Sequence, residues 1–508
     1  MSNANPPAPT VRLRGVQLGL GLIVLALYGL FIGRNFANVA GGADSSGYFN
    51  SARLLAAGKF AAELRTPPEF GPQSELRPQL FHPHGLLPFP GRPGLSPTYA
   101  AGLPLHLALA SKLFGWSWAA PAVGIAAALA TLVLLYATAR EVGLEISLAA
   151  SGVVMLAAYP VFLFTSFQPL SDTLATTWCL AAVFAALRAR HHRGWAIACG
   201  TAVAVAGLVR ATNLLLLPAL VILLSWDGRR LGLATLGGLP GAIWLGYYNH
   251  TLYGSALSSG YVNLGEAFDW SYGPPTVLHF ALWLGGMLPA ILFPLAGLSL
   301  LRAGPRGRIV LALAAWFLAF AGFYAFYEIS REVWWDLRFI LPATPAFILA
   351  GLLGLQIWLE RRPFVPAARI RPILAGALAA WTIALGWFWS QKFHLPLIRT
   401  YEQAYADSAA AANARFPANA LVVSGLHSGA LYYYTPFAVL RWEALQPGEF
   451  TRFAALAQQA HRPICAVLFD IEESTALQEK CPGDWQRIGN VRNTSLWQLS
   501  ATSGTARE

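Results

Sequence analysis

Apolar residues in this chain come in long blocks separated by short polar connectors. About eleven blocks stand out, at residues 15–33, 118–139, 146–164, 173–187, 195–209, 211–226, 231–249, 277–301, 309–326, 339–359 and 373–389. Most approach the roughly twenty apolar residues that a helix needs to cross a bilayer. Inside lipid the backbone must satisfy its own hydrogen bonds, so the blocks predict helices. A further apolar stretch, residues 98–114, is short and holds His106 and Lys112. It predicts a juxtamembrane or re-entrant helix. A split helix elsewhere would change the parity, so eleven to thirteen spans are expected. The first block lacks a small-residue cleavage site and is followed by many others, so it predicts a transmembrane helix and not a signal peptide.

Past residue 390 the pattern changes. Short apolar runs of strand length, 420–424, 430–434 and 464–469, surround an amphipathic stretch at 449–461 that predicts a helix. The chain therefore divides into a membrane module, residues 1–390, and a small α/β domain, residues 391–508, whose end at 501–508 reads as disordered. The membrane module carries a long first loop at about 34–97.

Composition agrees with this division. Of 508 residues, 56% are hydrophobic and 12% are charged, about half the charged share of a soluble protein. A net charge of +11 raises nucleic acid as a partner, but the placement of the charge argues against it. Arg12, Arg14, Arg140, Arg188, Arg190, Arg193, Arg229, Arg230, Arg302, Arg306, Arg308, Arg361, Arg362, Arg369 and Arg371 occupy connectors of one side. The short connectors of the other side hold Arg210, Arg331 and Arg338. This asymmetry puts the N-terminus in the cytoplasm and the first loop and the tail outside. Cys179 and Cys199 fall in spans, whereas Cys465 and Cys481 fall in the external tail, where a disulfide is chemically allowed.

Ionisable residues near membrane depth are costly and point to function. Asp44 is the first acid of the chain and precedes a helical stretch at 50–57 that Gly58 would stop. Asp172 is the only acid between Glu145 and Asp227. Each could simply cap a helix. The topology nevertheless puts both carboxylates on one outer face, where they could share acid–base work. Arg210 falls at an outer helix end and either snorkels to the interface or holds a phosphate. Arg338 opens a later span, with Asp336 beside it as a pairing partner and Glu328 and Arg331 nearby. His82 and His84 invite a metal reading, but no third ligand follows at a suitable spacing.

Several segments together resemble the GT-C fold glycosyltransferases, in particular the family 39 or protein-mannosyltransferase-like group. They are Asp44-Ser45-Ser46-Gly47-Tyr48 with Ala52-Arg53-Leu54-Leu55-Ala56-Ala57-Gly58, the 97–115 helix, Ser171-Asp172, Gly207-Leu208-Val209-Arg210-Ala211-Thr212-Asn213, Tyr248-Asn249 with Gly260-Tyr261, and Arg338-Phe339-Ile340-Leu341-Pro342-Ala343. The resemblance covers about residues 10–390. It implies a multi-pass enzyme of a bacterial inner membrane that takes a sugar from a polyprenyl-phosphate donor to an external acceptor hydroxyl with inversion. It implies Asp44 and Asp172 as catalytic carboxylates, Arg210, Arg338 and Arg53 as ligands of the donor phosphate, and Tyr48, Tyr261, Glu328 and Arg331 as pocket residues. Membrane lipid is a partner, no cofactor is called for, and a divalent metal stays open. Protein-mannosylating members often carry two adjacent acids where this chain has Asp44-Ser45, which favours a lipid or glycan acceptor over a protein. The Glu-Lys-Pro-Pro stretch of lipid A aminoarabinose transferases has no counterpart in Gly91-Arg92-Pro93-Gly94-Leu95-Ser96-Pro97. Two other readings are a flippase for lipid-linked glycans, which predicts charges along the middle of the bundle, and a noncatalytic envelope assembly protein, which predicts that Asp44 is dispensable.

Overall fold

The computed structural model describes residues 11–71, 76–89, 94–261, 264–361 and 367–500. Each apolar block becomes a helix or a pair of helices. They are α1 (Val11–Asn35), α4 (Trp116–Glu141), α5 (Ile146–Ala157) with α6 (Pro160–Ser166), α7 (Ser171–Arg188), α8 (Trp195–Val209), α9 (Leu217–Leu223), α10 (Gly228–Tyr253), α11 (Gly273–Met287) with α12 (Leu292–Arg302), α13 (Gly307–Ala325), α14 (Thr344–Glu360) and α15 (Ala367–Lys392). Two further helices lie between α1 and α4: α2 (Ala43–Ala56) and α3 (Gly102–Phe114).

Among the described residues, four helices are long and apolar enough to cross a membrane unbroken: 116–141, 304–325, 334–360 and 369–392. Two more spans form only if bent pairs count as one, α5 with α6 at 60° and 270–287 with α12 at 107°. The straight spans are thus fewer than the apolar blocks. Proline accounts for part of the difference, because it lacks a backbone N–H and clashes with the preceding turn. Pro160 stands at the first bend and Pro289 at the second. The 334–360 helix is the axis of the bundle, with 94% of its apolar window buried by other helices.

α3 is a short helix, as the sequence predicts. Thirteen residues span about 20 Å, too little for a hydrocarbon core. Leu103, Leu107 and Ala110 are buried while Leu109, Leu113 and Phe114 stay exposed, the two-sided pattern of a helix lying at an interface.

The arginine-rich connectors meet at one end of the bundle. Arg188 pairs with Glu141 at 2.8 Å, Arg306 with Glu360 at 2.9 Å, and Arg371 with Glu145.

Beyond α15 lie α16 (Ile398–Arg415), α17 (Ser428–Tyr434) and α18 (Glu449–Gln459). They pack on a five-stranded sheet of β3 (Leu421–Ser424), β4 (Ala438–Arg441), β5 (Ile464–Phe469), β6 (Trp485–Val491) and β7 (Thr494–Leu499), in the order β4-β3-β5-β7-β6. β3 pairs parallel to β4 and β5, whereas β7 pairs antiparallel to β5 and β6. The run 430–434, expected as a strand, is the helix α17. Its Ala430, Leu431 and Tyr433 are buried, so tertiary contacts override the strand preference of consecutive tyrosines. The expected strands at 420–424 and 464–469 and the helix at 449–461 form as β3, β5 and α18. Residues 501–508 and 90–93 fall outside the described residues. Cys465 and Cys481 are free and buried in this unit.

The first loop does not stand apart from this unit. It forms a small hairpin, β1 (Leu86–Pro88) with β2 (Leu95–Pro97). Phe70, Leu80 and Phe81 enter the core of the C-terminal sheet, with Phe70 and Phe81 set against Phe453 at 5.2 and 6.1 Å. Arg77 pairs with Glu449, and Arg462 with Glu69.

Candidate active site

The site forms at the end of the bundle opposite the arginine-rich connectors. Asp44 occupies the second position of α2. Gly42, with φ of 50°, precedes that helix, and no side chain caps it. The capping role open to Asp44 is therefore not taken up. Its Oδ2 instead accepts from Arg338 Nη1 at 2.8 Å, and the Tyr99 hydroxyl also bonds to it. Burial works against ionisation of Asp44, but the Arg338 guanidinium and the Tyr99 hydroxyl outweigh it and hold the carboxyl below the usual range.

A second ion pair lies beside the first. Asp172, 1% exposed, is the second residue of α7 and likewise caps nothing. Arg210 Nη1 lies 2.9 Å from its Oδ1. Arg210 reaches inward because α8 ends at Val209: the Arg210 backbone is extended, and a 3₁₀ run over Ala211–Leu216 follows. Arg210 Nε also donates to Ser171 Oγ at 2.9 Å, and the Tyr48 hydroxyl donates to the same oxygen at 2.9 Å. The Arg338 and Arg210 guanidiniums share the Phe339 ring, at 5.4 and 5.9 Å from its centroid. Tyr324 stacks on that ring at 5.1 Å. Asp44, Arg338, Asp172, Arg210 and Tyr48, chosen from the sequence, thus converge from α2, α7, α8 and the segment leading into α14.

Other expected members are placed differently. Arg53 faces away from the two arginines, with its guanidinium 3.3 Å from the centroid of the Tyr433 ring. Asp336 does not serve as the partner of Arg338. It accepts from Val333 N at 2.8 Å and so holds the turn that starts its own helical run. Arg331 lies over the Tyr272 ring at 4.2 Å, and Glu328 is exposed on the same 3₁₀ turn. Among the described residues neither bonds to the two ion pairs. Tyr261 sits at the rim, half-exposed, 6.3 Å from Tyr99. His82 Nδ1 contacts Leu86 O at 3.0 Å, while His84 lies 3.8 Å from Glu443 of the C-terminal unit. Burial pushes both imidazoles down to about 4. Among the described residues no three His, Cys, Asp or Glu side chains gather as a metal site.

Tyr99 joins this cluster without having been singled out from the sequence. It bonds Asp44, lies with its ring tilted 5.1 Å from that of Tyr48 and packs on Gly47. The signal lay in Gly47, a glycine inside a helix. A Cβ there would lie 2.6 Å from Tyr99 Cε2 and 2.9 Å from Gly85 Cα, so only glycine lets the hairpin and Tyr99 close over α2.

An apolar groove of about 460 Å³ runs between α8, α9 and α10. Gly207 and Leu214, which flank Arg210 in the chain, line it together with Leu217, Leu224 and Leu239. Leu214, Leu217 and Leu239 are also exposed on the outer surface of the bundle.

Residues 101–243 match the family described as dolichyl-phosphate-mannose-protein mannosyltransferase. No curated protein matches the chain. ArnT from Cupriavidus metallidurans in the apo state aligns with a TM-score of 0.58 at 14% identity, over 95% of this chain and 98% of that one. The same protein bound to undecaprenyl phosphate aligns with a TM-score of 0.56 over equal shares, also at 14% identity. The oligosaccharyltransferase of Archaeoglobus fulgidus in its apo form aligns at 0.54 and 12% identity, over 89% of this chain and 70% of that one. What is shared at such identity is the fold.

Proposed function

Proceeding from a polytopic membrane chain with the GT-C fold, we propose that it is a glycosyltransferase that moves a sugar from a polyprenyl-phosphate donor to the hydroxyl of a lipid or glycan acceptor. The observation that carries this reading is the convergence of two carboxylate–arginine pairs at one end of the bundle, beside an apolar groove. The groove suits a hydrocarbon chain. The guanidiniums suit a phosphate at its mouth, because their planar forks match phosphate oxygens. One structural relative holds undecaprenyl phosphate.

The reaction needs one displacement. The acceptor oxygen attacks the anomeric carbon as Asp44 takes its proton. The bond from that carbon to the phosphate oxygen breaks, and its electron pair leaves on the lipid phosphate. Attack opposite the leaving group inverts the anomeric centre. Arg210 and Arg338 stabilise the charge gathering on the phosphate. A carboxylate held low by Arg338 is a weak base. A donor phosphate that draws Arg338 to itself loosens that hold and raises the basicity of Asp44 when the substrate is in place. Asp172 is too deep to touch the acceptor. It orients Arg210. The arginine-rich end faces the cytoplasm of a bacterial inner membrane and the site faces outward.

The test is sugar transfer by membranes containing the protein, supplied with polyprenyl-phosphate hexoses and pentoses and with lipid and glycan acceptors. Transfer that depends on Asp44 is expected. Absence of transfer with every donor and acceptor pair would count against an enzyme and for a carrier or assembly protein.

A further inference from the structure

Helix α2 has two faces with different neighbours. Asp44 and Tyr48, four residues apart, point at the two ion pairs. Ser46, Phe49, Asn50 and Arg53 form the opposite stripe at helical spacing, and all four meet the C-terminal unit. Asn50 Nδ2 donates to Gly429 O at 3.2 Å. Phe49 meets the Tyr433 ring at 5.4 Å. Arg53 Nη1 donates to Tyr433 O at 2.6 Å while its guanidinium lies on that ring. A Cβ on Gly429 would overlap Ser46 Oγ and stand 2.8 Å from His84 O, so the two elements touch with no space between them. The chain just before α2 is held as well. Ala40 N donates to the Tyr434 hydroxyl at 2.9 Å, and Glu402 and Tyr405 of α16 pack on Gly41.

We propose that the C-terminal α/β unit positions the Asp44 carboxylate by gripping α2 along its far face, with Arg53 as the principal positioning residue. This rests on the reading of Asp44 as the base. Arg53 lies nine residues from Asp44, about 13 Å along the helix. Two and a half turns of intact helix transmit a shift at one end to the other. One of its donors and its cation face are engaged by Tyr433, and the rest of the side chain is exposed.

The test uses the full-length protein in membranes, with kcat, KM for the polyprenyl-phosphate sugar and the pH profile measured for Arg53→Ala, Arg53→Lys, Asn50→Ala and Asp44→Asn. Arg53→Ala is expected to lower kcat about ten- to a hundredfold, with KM for the donor changed less than about twofold. Its acid limb is expected to move to higher pH, because a displaced carboxylate loses part of its contact with Arg338. Arg53→Lys keeps a cation over the ring and is expected to restore part of the rate. If Arg53→Ala does not insert, Asn50→Ala carries the same expectation on a smaller scale. A raised KM with kcat intact would overturn the proposal and return Arg53 to phosphate binding. Unchanged kcat and pH profile, with Asp44→Asn inactive, would overturn the grip alone. An active Asp44→Asn would remove the base and this proposal with it.

Discussion

At the scale of single residues, the site is a matter of which charges neutralise which. Asp44 and Asp172 stand out in the sequence because acids are rare near apolar blocks, but their partners come from 294 and 38 residues away and are fixed only by packing. Asp44→Asn keeps the shape and removes the proton acceptor, so transfer is expected to fall about 10²- to 10⁴-fold, read as product formed per unit of membrane protein. The wild-type rate is expected to fall with acid. In the free protein a carboxyl held low by Arg338 and Tyr99 stays ionised, so the rate at low donor concentration holds until the pH drops below the usual carboxylate range. Arg338→Ala removes that hold, and its residual activity should be lost at a higher pH than in the wild type. Gly47→Ala tests the closure of Tyr99 over α2. A side chain forced against Tyr99 and Gly85 costs about 1–3 kcal/mol, expected as a lower melting temperature and reduced transfer.

At the scale of elements, helix ends and breaks matter more than helix centres. Arg210 reaches Asp172 because α8 stops one residue earlier. The apolar block at 211–226 reads as one continuous helix in sequence, yet begins as a 3₁₀ run. α16 carries a half-buried carboxyl, Glu402, which lies against Gly41 and has no hydrogen bond or ion pair among the described residues. Burial pushes it up to about 7. An acid raised in the folded state opposes folding progressively as pH climbs from its unfolded value near 4.5 towards 7, and the full cost applies above that. Glu402→Gln is therefore expected to raise the melting temperature at pH 8 and to leave it nearly unchanged at pH 4, as measured in detergent. An equal effect at both pH values would show that Glu402 is not strained by charge.

At the scale of the whole molecule, the first loop and the C-terminal unit form one layer packed together over the helical bundle. Their shared core of Phe70, Phe81 and Phe453 makes the division at residue 390 a boundary of composition more than of packing. The sidedness can be checked directly, because the four native cysteines are buried and give little background. A membrane-impermeant thiol reagent applied to intact cells should label Asp484→Cys and spare Arg229→Cys, both exposed positions. The reverse pattern would invert the topology.

What the amino-acid order determined by itself was the class of molecule, together with an expected polarity. Hydrophobic blocks and basic connectors report partition between lipid and water, and each is set by residues close together in the chain. The order also marked Asp44, Asp172, Arg210 and Arg338 as isolated charges, since a charge near lipid is costly wherever the chain goes. Which carboxylate meets which guanidinium was decided only in three dimensions, as were the entry of Tyr99, the placement of Arg53 away from the two site arginines and the helix at 428–434. Those depend on contacts between segments from about forty to nearly four hundred residues apart, and pairing of that kind leaves no local periodicity to read.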